Sequence, residues 1–464
     1  MALPNPVARQ REVVCLPARG HQVVLGTAGS GKTTMAILRA AFLADPLLPE
    51  SGPTLLLTYN KALCNFIRSI GDGALKGVVV EHYHKFARGY LNHRGKMGWG
   101  VIAGRSRRLR LIETAIANVS ARYNPNSFFD RPLKYFSAEI AWVAQHGITS
   151  LADYQSADRV GRADARMEAI YKPQLWEMVE EYRRLRGDAG LSYDFDDLAT
   201  DMSEELDIDT DERKYKHIVI DEGQDLSPEM IRSIAKAVSP AGSVTFFGDV
   251  AQQIYGHRMS WRAAGLKPTK IWNFSENYRN TREIALLGLE IASMPYYAGA
   301  SDMVAPTAPA AAGAKPTVVS FADATAEMPF VLAQARRLAQ TQSVAILTRT
   351  ARQTDDLQSA ANGSAVDLRS DELNWSAGPG LYSGTYHSAK GLEFDAVILP
   401  FISTDLMPDP AFIADFGRSE AEANDGRLLY VGVTRAKTIL IITQSGGVSQ
   451  LLPANPSLYT ALDR

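Results

Sequence analysis

Short apolar runs alternate along the chain with longer segments in which apolar residues recur at helical spacing. In the first half, the runs that we predict to be strands lie at 23–25, 54–57, 78–80, 217–220 and 244–247. In the second half, predicted strands lie at 318–321, 344–347, 396–399 and 439–442. Predicted helices separate them, including 34–44 and about 325–340. Strands that alternate with helices favour parallel sheets flanked by helices, so the pattern predicts an α/β protein with two successive α/β runs.

The region from about residue 89 to 191 lacks such strands. Its apolar spacing is helical, for example over 109–119 and 173–186, so we predict helices here. A basic run from Arg105 to Arg110 has two interpretations, a solvated helix face or a face that contacts phosphates. Further along, residues 296–317 are rich in Ala, Pro and Gly and are predicted to form a surface loop or linker.

The composition is that of a soluble globular protein, with 46% hydrophobic and 22% charged residues among 464. The net charge of −2 neither supports nor excludes a nucleic-acid partner, because a basic groove can lie on a neutral protein. We find no apolar segment of membrane-spanning length and no apolar signal core, and we therefore expect a cytoplasmic protein. Cys15 and Cys64 lack metal-ligand spacing, so disulfides, iron–sulfur clusters and structural zinc are not expected.

The most informative segment, GTAGSGKTT, lies between the first predicted strand and the following predicted helix. In that context G-x-x-x-x-G-K-[ST] forms a phosphate-binding loop, whereas a glycine-rich turn without a ligand is the alternative. Glycines let backbone N–H groups face an anion, and the helix N-terminus adds its positive dipole end. We predict that Lys32 reaches the β- and γ-phosphates and that the Thr33 hydroxyl binds Mg²⁺. The predicted nucleotide-binding residues of this loop are Gly26, Thr27, Ala28, Gly29, Ser30, Gly31, Lys32, Thr33 and Thr34.

Acidic residues follow the predicted strand at 217–220. Asp221 and Glu222 come directly after it, in the sequence DEGQD. In a protein with a phosphate-binding loop, we expect Asp221 to hold Mg²⁺ in the Walker B role. We expect Glu222 to orient or deprotonate the attacking water. A simple turn is the alternative, which the strand and the phosphate-binding loop disfavour.

A second polar segment follows the predicted strand at 244–247. Gln252, just beyond this strand, is placed to sense a γ-phosphate. Tyr255, His257 and Arg258 have the side chains of base-stacking and phosphate-binding groups. The segment therefore suggests a link between a nucleotide site and a nucleic-acid site.

Five segments occur in an order that is specific to one family: DEGQD, GDVAQQIY, ENYR, YHSAKGLEF and YVGVTRAK. With these segments, the chain resembles superfamily 1 helicases of the UvrD/Rep type from Gln10 to Lys437. The resemblance implies two tandem RecA-like lobes with ATP in the cleft between them. It places the first lobe at 1–88 and 192–273, a helical insertion at 89–191, and the second lobe at 274–464.

The resemblance also implies roles at the nucleotide. Gln10 would contact the adenine edge, Tyr278 would stack on its face, and Glu393 would approach the ribose. Arg279 and Arg435 would be arginine fingers, which stabilise the negative charge that develops in phosphoryl transfer. Because closure of the lobes would bring them in, hydrolysis would be coupled to opening and closing.

A groove for single-stranded DNA is implied across both lobes. Stacking on aromatic rings and contacts to the backbone would give sequence-tolerant binding, and the stepping direction in this family is 3′ to 5′. Gln252 would couple this groove to the γ-phosphate. The implied contacts are Tyr59, Asn60, Tyr83, His84, Tyr255, His257 and Arg258 on the first lobe and Thr385, His387 and Lys390 on the second.

The chain departs from the family pattern at three places. His257 stands where the family usually has Phe or Trp, and the segment from Thr58 to Lys61 is one residue short. Between Arg349 and Thr385 there is no room for the large helical insertion (2B) of the second lobe, and we expect only a helix and a loop there. Strand separation is therefore less strongly implied than ATP hydrolysis.

Three functional hypotheses follow. The first is an ATP- and Mg²⁺-dependent 3′-to-5′ translocase or helicase that acts on single-stranded or 3′-tailed DNA. The second is a helicase-like subunit that senses ATP and DNA within a complex, for example with a nuclease, as in bacterial anti-phage systems of the Gabija kind. The third, a relative that binds ATP without hydrolysing it, is disfavoured because Glu222, Arg279 and Arg435 are all present.

Overall fold

A six-stranded parallel sheet forms the centre of the first lobe. Its strands are β1 (Gln22–Gly26), β2 (Thr54–Thr58), β3 (Val78–His82), β4 (Tyr215–Ile220), β5 (Val238–Gly248) and β6 (Ile271–Phe274). They are hydrogen-bonded in the order β3-β2-β4-β5-β1-β6. The computed structural model that provides these elements describes residues 5–6, 9–27, 29–71, 73–157, 167–249, 261–262, 264–268, 270–295, 311–370 and 378–464.

Among the described residues, nine α-helices precede β4, and the first eight fall into two groups of four. Four belong to the first lobe: α1 (Arg9–Val14), α2 (Lys32–Ala44), α3 (Lys61–Gly71) and α4 (Tyr83–His93). The next four form the predicted helical insertion: α5 (Arg105–Ser120), α6 (Leu133–Gln145), α7 (Leu151–Ser156) and α8 (Lys172–Asp188). The insertion has its own core, which includes Phe128, Phe136, Trp176 and Tyr182. It therefore packs as a unit beside the sheet.

The chain returns to the first lobe through α9 (Leu198–Ile208), and α10 (Pro228–Ala237) connects β4 to β5. Residues of β1, β2 and β4 are buried on both faces because helices cover the sheet on each side. Each fully buried Val, Leu or Ile side chain stabilises the fold by about 1.5–3 kcal/mol. In the described part of the chain, no helix combines the length and apolarity that crossing a membrane requires.

The second lobe has a seven-stranded parallel sheet. Its strands are β7 (Thr317–Phe321), β8 (Ser343–Thr348), β9 (Val366–Asp367), β10 (Gly380–Thr385), β11 (Phe394–Leu399), β12 (Ala436–Ser445) and β13 (Thr460–Asp463). Their order is β13-β7-β12-β11-β8-β10-β9. The helices are α11 (Arg282–Ala292), α12 (Ala324–Leu338), α13 (Ala351–Ala361), α14 (Pro410–Phe416) and α15 (Arg418–Val433).

The two sheets confirm the predicted α/β fold class with two tandem lobes. Between β8 and β10 the described residues form α13 and the short strand β9, a little more structure than the helix and loop that we expected. Four strands were not predicted. The sequences of β6, β9, β10 and β13 are short, polar or glycine-containing, and they become strands because a neighbouring strand supplies hydrogen bonds.

The lobes and the insertion touch one another. One apolar core runs through both lobes and includes Leu63 on α3 and Leu392 before β11. Gly391 has a φ of 81°, and a Cβ there would lie 2.9 Å from the Leu63 side chain, so glycine permits this close approach. On the outside, Lys134 of α6 forms an ion pair of 2.5 Å with Asp415 of α14. The strand ends of both lobes therefore face a common cleft.

Candidate functional site

The loop between β1 and α2 is held in a conformation that depends on glycine. Gly29 and Gly31 have φ values of 76° and 83°, a region that costs an L-residue about 1–2 kcal/mol. A Cβ at Gly29 would collide with the side chain of Asn277, and one at Gly31 would lie 2.9 Å from Gln10 Nε2. Glycine is therefore required here by backbone angle and by space.

Lys32 lies inside this loop and is almost completely buried. Its ammonium group donates hydrogen bonds to the carbonyl oxygens of Gly26 (2.9 Å) and Thr27 (2.8 Å). It also lies 3.6 Å from a carboxylate oxygen of Asp249, which follows β5. The loop thus holds a positive charge at the carboxyl end of the sheet, where α/β proteins bind ligands.

Asp221 follows β4 at the same edge and is fully buried. Among the described residues, neither carboxylate oxygen has a hydrogen-bond partner, although the Thr33 hydroxyl approaches without reaching hydrogen-bond geometry. Burial, together with the neighbouring Glu222 charge, raises the pKa of Asp221 to about 7, while Thr33 and Lys32 act in the opposite direction. A buried carboxylate without a donor fits a divalent cation shared with the Thr33 hydroxyl. Clusters of three or more His, Cys, Asp or Glu that could hold a metal do not occur in the described ranges.

The pKa of Glu222 is shifted in the opposite direction from that of Asp221. Burial favours its neutral form, but the charges of Lys32, Lys390 and Arg435 and a hydrogen bond from Gln224 together lower its pKa below the usual range. The residue has a φ of 52°, a conformation that is uncommon outside glycine. Glu222 is therefore an ionised carboxylate in a water-poor cleft, suited to accept a proton from water.

Gln224 and Asp225 connect this carboxylate to other parts of the cleft. The Gln224 side chain donates to Glu222, and its oxygen accepts a hydrogen bond of 2.9 Å from the backbone N–H of Asp249. Asp225 forms a buried ion pair with Lys390 of the second lobe. The sequence did not single out Gln224 or Asp225, although both lie in the segment DEGQD.

Lys390 requires a correction. We expected it to line an open DNA groove, but only 3% of its surface is exposed, and its ammonium group points into the first lobe toward Asp225. An ammonium held by a buried carboxylate cannot also reach a phosphate on the surface. In this arrangement Lys390 joins the lobes.

A cavity of about 250 Å³ opens between the phosphate-binding loop and the second lobe. Its lining includes Gly29, Gly31, Thr33, Thr34, Tyr278, Arg279, Glu393 and Lys437. Across this cavity, Glu393 pairs with Arg279 Nε at 2.7 Å and with Lys437 Nζ at 3.0 Å. Lys437 lies in the segment YVGVTRAK, and no site role was predicted for it. The two cations and the loop backbone make the cavity attractive to a polyanion.

Arg435 is fully buried behind this cavity. Its guanidinium donates to the carbonyl oxygens of Val431 (3.0 Å) and Leu392 (3.2 Å). Burial and the nearby Arg279 charge lower its pKa to about 10, so it stays charged, and Glu222 attracts it. Cations from the second lobe therefore lie in the electrostatic field of the first lobe's carboxylates.

Gln10 and Tyr278 flank the open side of the phosphate-binding loop. Gln10 Nε2 donates to the carbonyl of Ser30 at 3.0 Å. Tyr278 N–H donates to the carbonyl of Gly29 at 2.8 Å, and 55% of the Tyr278 surface is exposed. A flat ring beside the loop and an amide at its rim can accept a planar base.

A group of aromatic rings forms a partly exposed surface on the first lobe, which we call the stacking face: Tyr59, His84 and Phe195. The ring centroids of Tyr59 and His84 are 6.3 Å apart, and those of His84 and Phe195 are 5.4 Å apart. Phe195 is 46% exposed and was not predicted, because an aromatic residue in an acidic segment gives no binding signal in the sequence. Burial lowers the pKa of His84 to about 4, so its ring is neutral at pH 7. Asn60, beside this face, accepts a hydrogen bond from Leu63 N–H (2.7 Å) at the start of α3.

Tyr83 is a second correction. We expected it to line the DNA groove beside His84, but it is completely buried in the core of the first lobe. Its hydroxyl shares a hydrogen bond of 2.7 Å with Ser233. The first turn of α4 places Tyr83 inward and His84 in the stacking face, so Tyr83 has no surface for a nucleotide.

The second lobe presents Thr385 at the end of β10 and His387 just after it, both partly exposed. Thr385 and Ser388 exchange hydrogen bonds that close a tight turn, with Thr385 N–H to Ser388 Oγ at 2.9 Å. Burial lowers the pKa of His387 to about 4, and the charges of Arg349 and Lys390 act in the same direction.

Five predicted site residues lie outside the described residues: Ala28, Gln252, Tyr255, His257 and Arg258.

Comparison with known proteins assigns the chain to a family. The profile of the UvrD/REP helicase N-terminal domain matches residues 7–278, and that of the UvrD-like helicase C-terminal domain matches residues 383–446. The ATP-dependent DNA helicase UvrD2 of Mycobacterium tuberculosis is 22% identical over 563 residues, which cover 94% of this chain and 78% of that protein. The ATP-dependent DNA helicase srs2 of Schizosaccharomyces pombe is 24% identical over 305 residues, which cover 61% of this chain and 34% of that protein. The match to the N-terminal domain spans more than half of this chain, so the chain belongs to the UvrD/REP helicase family and is an ATP-hydrolysing enzyme.

Proposed function

We propose that this protein uses ATP hydrolysis between its lobes to move along single-stranded DNA in the 3′-to-5′ direction. The observation that carries the proposal is the meeting of charges from both lobes. Lys32 and Glu222 of the first lobe share one cleft with Arg279 and Arg435, which follow β6 and α15. A reaction centre divided in this way works only when the lobes are closed, which couples hydrolysis to their relative motion.

In this proposal, the triphosphate of ATP lies against the loop from Gly26 to Thr34. Lys32 exchanges its present hydrogen bonds to loop carbonyls for the β- and γ-phosphates. The adenine base stacks on Tyr278 and meets Gln10 at its edge, while Glu393 faces the ribose. Thr33 and Asp221 would hold Mg²⁺, which supplies neutralising charge to the phosphates when it is bound.

Glu222 orients and deprotonates the attacking water, because it is ionised and held by Gln224. Arg279 leaves Glu393 for the γ-phosphate, and together with Arg435 it stabilises the charge that spreads over the phosphoryl oxygens. Gln252 would report the state of this phosphate to the strand. After hydrolysis that attraction is lost, and the lobes separate.

The DNA strand would lie across the stacking face and the turn that contains Thr385 and His387. Asn60 contributes at the rim of the first lobe, and Tyr255, His257 and Arg258 would complete the same groove. Stacking on rings tolerates any base sequence, as movement along a strand requires. The buried pair of Asp225 and Lys390 would transmit lobe closure, since Asp225 is joined through Gln224 to Glu222.

A second candidate function is supported by the short connection between β8 and β10. Only α13 and β9 occupy its described residues, so the second lobe has no large helical domain there. A protein reduced in this way would sense ATP and DNA as a subunit of a complex, for example with a nuclease. Purification from the native host discriminates between the two, since a stoichiometric nuclease supports the subunit and a lone chain supports the motor.

The test of the proposed motor is ATP turnover with and without single-stranded DNA, with Lys32→Ala as the inactive control. We expect DNA to stimulate turnover of the wild type at least tenfold. Translocation is then followed toward a fluorophore at either end of the strand. Arrival at the 5′ end supports the proposed direction, and arrival at the 3′ end contradicts it. Turnover that DNA does not change contradicts the motor as a whole.

A further inference from the structure

Trp99 is the most exposed aromatic residue in the described part of the chain. It lies in the loop between α4 and α5, flanked by Gly98 and Gly100, and its surface is 101% exposed. For comparison, Tyr278 at the nucleotide cavity is 55% exposed. A large ring that is left entirely in water loses the stabilisation of burial, so packing within this chain does not explain a Trp here.

Three arginines follow this loop in the first two turns of α5: Arg105, Arg107 and Arg110. All are exposed, and in the described part of the chain no carboxylate lies within ion-pair distance of them. Positive charges near a helix N-terminus oppose the helix dipole, and this first turn contains no acidic residue to offset them. Arg108, in the same run, is different, since it pairs with Asp194 at 3.1 Å and Asp196 at 3.2 Å. The ion pairs of Arg108 explain why an arginine stands there, whereas a contribution to local stability does not explain the other three arginines.

The loop is hydrogen-bonded to the segment that carries Phe195 of the stacking face. Tyr193 N–H donates to Val101 O at 3.0 Å, and Ala103 N–H donates to Tyr193 O at 2.8 Å. Trp99 is two residues before Val101, and Phe195 is two residues after Tyr193. Since two residues span at most about 7 Å, the Cα atoms of Trp99 and Phe195 lie within roughly 20 Å of each other. The ion pairs of Arg108 to either side of Phe195 fix α5 at the same place.

We propose that Trp99 and the three arginines form a second binding site for unpaired nucleotides, contiguous with the stacking face. This inference rests on the proposed function, because it extends the strand path of the motor onto the helical insertion. Trp99 stacks on a base, and guanidinium groups of Arg105, Arg107 and Arg110 bind the phosphates on either side. In this proposal, the phosphate-contacting interpretation of the basic run applies to these three arginines.

The chemistry selects a single strand over other partners. Three cations that pair with no carboxylate among the described residues fit a polyanion better than a protein surface, on which acidic and basic groups alternate. A ring at the tip of a loop needs a base whose face is free, and bases inside a duplex are already stacked on each other. The site therefore holds nucleotides that have left the stacking face or are about to enter it.

The test compares two lengths of single-stranded DNA, about 8 and about 20 nucleotides, because sites of this kind cover about 4–16 nucleotides. Trp99→Ala is expected to weaken binding of the longer strand about fivefold or more and to leave the shorter strand unchanged. Trp99→Phe retains most of the affinity. Ile170→Ala, which removes another exposed apolar side chain of the insertion, is the matched control and changes neither affinity.

The arginines are tested by the salt dependence of binding. Arg107→Ser/Arg110→Ser lowers the slope of log affinity against log salt by about 0.7 for each phosphate that the variant no longer binds, for the longer strand only. Arg184→Ser, on the exposed side of α8, leaves the slope unchanged. Turnover of ATP without DNA is the same in all these variants.

The proposal is overturned if Trp99→Ala binds the longer strand like the wild type, or if it weakens both lengths equally. A loss confined to duplex DNA also overturns it, since the site would then bind paired nucleotides. These outcomes are distinct from failure of the motor. If the shorter strand stimulates ATP turnover while the Trp99 variant is normal, only this second site is rejected.

Discussion

Lys390 of the second lobe and Asp225 of the first form an ion pair that is closed to solvent. The surrounding residues make this pair costly to leave half-formed, because each partner alone would be a buried charge without compensation. Burial is also the main cause that raises the pKa of Asp225 to about 6, against the opposing charge of Lys390. The pair is therefore a buried link between the two lobes rather than a surface contact.

We predict that Lys390→Met lowers the free energy of unfolding by about 3 kcal/mol at pH 8, because it leaves the Asp225 carboxylate unpaired. The loss is smaller at pH 5. A carboxyl whose folded pKa is raised contributes stability below its unfolded pKa, near 4, and that stability disappears as the pH rises through 6 and above. Urea titrations at both pH values measure this.

Two variants control that experiment. Lys390→Met/Asp225→Asn recovers most of the lost stability, because the buried charge is gone. Lys134→Met removes the exposed pair with Asp415 and changes stability by less than about 1 kcal/mol. Equal losses in the free energy of unfolding for Lys390→Met and Lys134→Met would mean that the buried pair stabilises the protein no more than the exposed pair does.

The two aromatic residues Phe195 and Tyr83 are predicted to behave oppositely. Phe195→Ala weakens binding of single-stranded DNA by about 1–3 kcal/mol with little change in melting temperature, since the ring is half exposed and stacks on a base. Tyr83→Phe leaves DNA affinity unchanged but costs about 1 kcal/mol of stability, because Ser233 Oγ loses the hydrogen bond to the Tyr83 hydroxyl and keeps only the one that it donates to Met230 O. Fluorescence anisotropy and thermal unfolding of both variants separate the roles. A DNA-binding loss in Tyr83→Phe would contradict a purely structural role for Tyr83.

The pH dependence of strand binding follows from His84 and His387, whose pKa values are lowered to about 4, mainly by burial. Both rings are neutral between pH 6 and 8, so at constant ionic strength the affinity for single-stranded DNA stays flat over this range. His84→Arg supplies a permanent positive charge and tightens DNA binding, which shows that the affinity responds to charge at this position. An affinity that rises steadily toward pH 6 in the wild type but not in His84→Gln would contradict the neutral ring.

The same histidines affect stability in a definite direction. A histidine with a folded pKa below its unfolded value of about 6.5 contributes stability above pH 6.5 that is lost as the pH falls toward 4. We therefore expect the free energy of unfolding to fall less steeply in His84→Gln than in the wild type over this range.

Gly29 and Gly20 provide a matched pair for the phosphate-binding loop. Both have positive φ values, 76° and 79°, but only at Gly29 would a Cβ meet other atoms, those of Asn277 and Arg279. Gly20→Ala should cost about 1–2 kcal/mol of stability and keep nucleotide affinity. Gly29→Ala should in addition abolish nucleotide binding, because the loop must shift. Nucleotide titrations by calorimetry distinguish strain alone from the loss of space, and intact binding in Gly29→Ala would contradict the assigned loop geometry.

The parts of the fold and site that the sequence predicts are those set by nearby residues. The loop from Gly26 to Thr34 and the acids after β4 follow strands whose apolar runs are easily identified, and their neighbours determine their conformation. Tyr83 and Lys390 differ, because their burial depends on α10 and on the opposite lobe, far away in sequence. Phe195 and Trp99 carry no periodic signal, and only the folded chain shows that both are exposed and that the segments that carry them are hydrogen-bonded to each other.

The most direct test of the two-lobe reaction centre is steady-state ATP turnover by Arg279→Ala at saturating single-stranded DNA, measured together with nucleotide affinity. Arg279 lines the cavity and is free to exchange Glu393 for a phosphate. An arginine that stabilises transferred phosphoryl charge contributes about 10³–10⁵ to turnover. We predict that turnover falls at least about 10³-fold while nucleotide affinity changes less than about tenfold. Turnover within about twofold of the wild type would contradict the account.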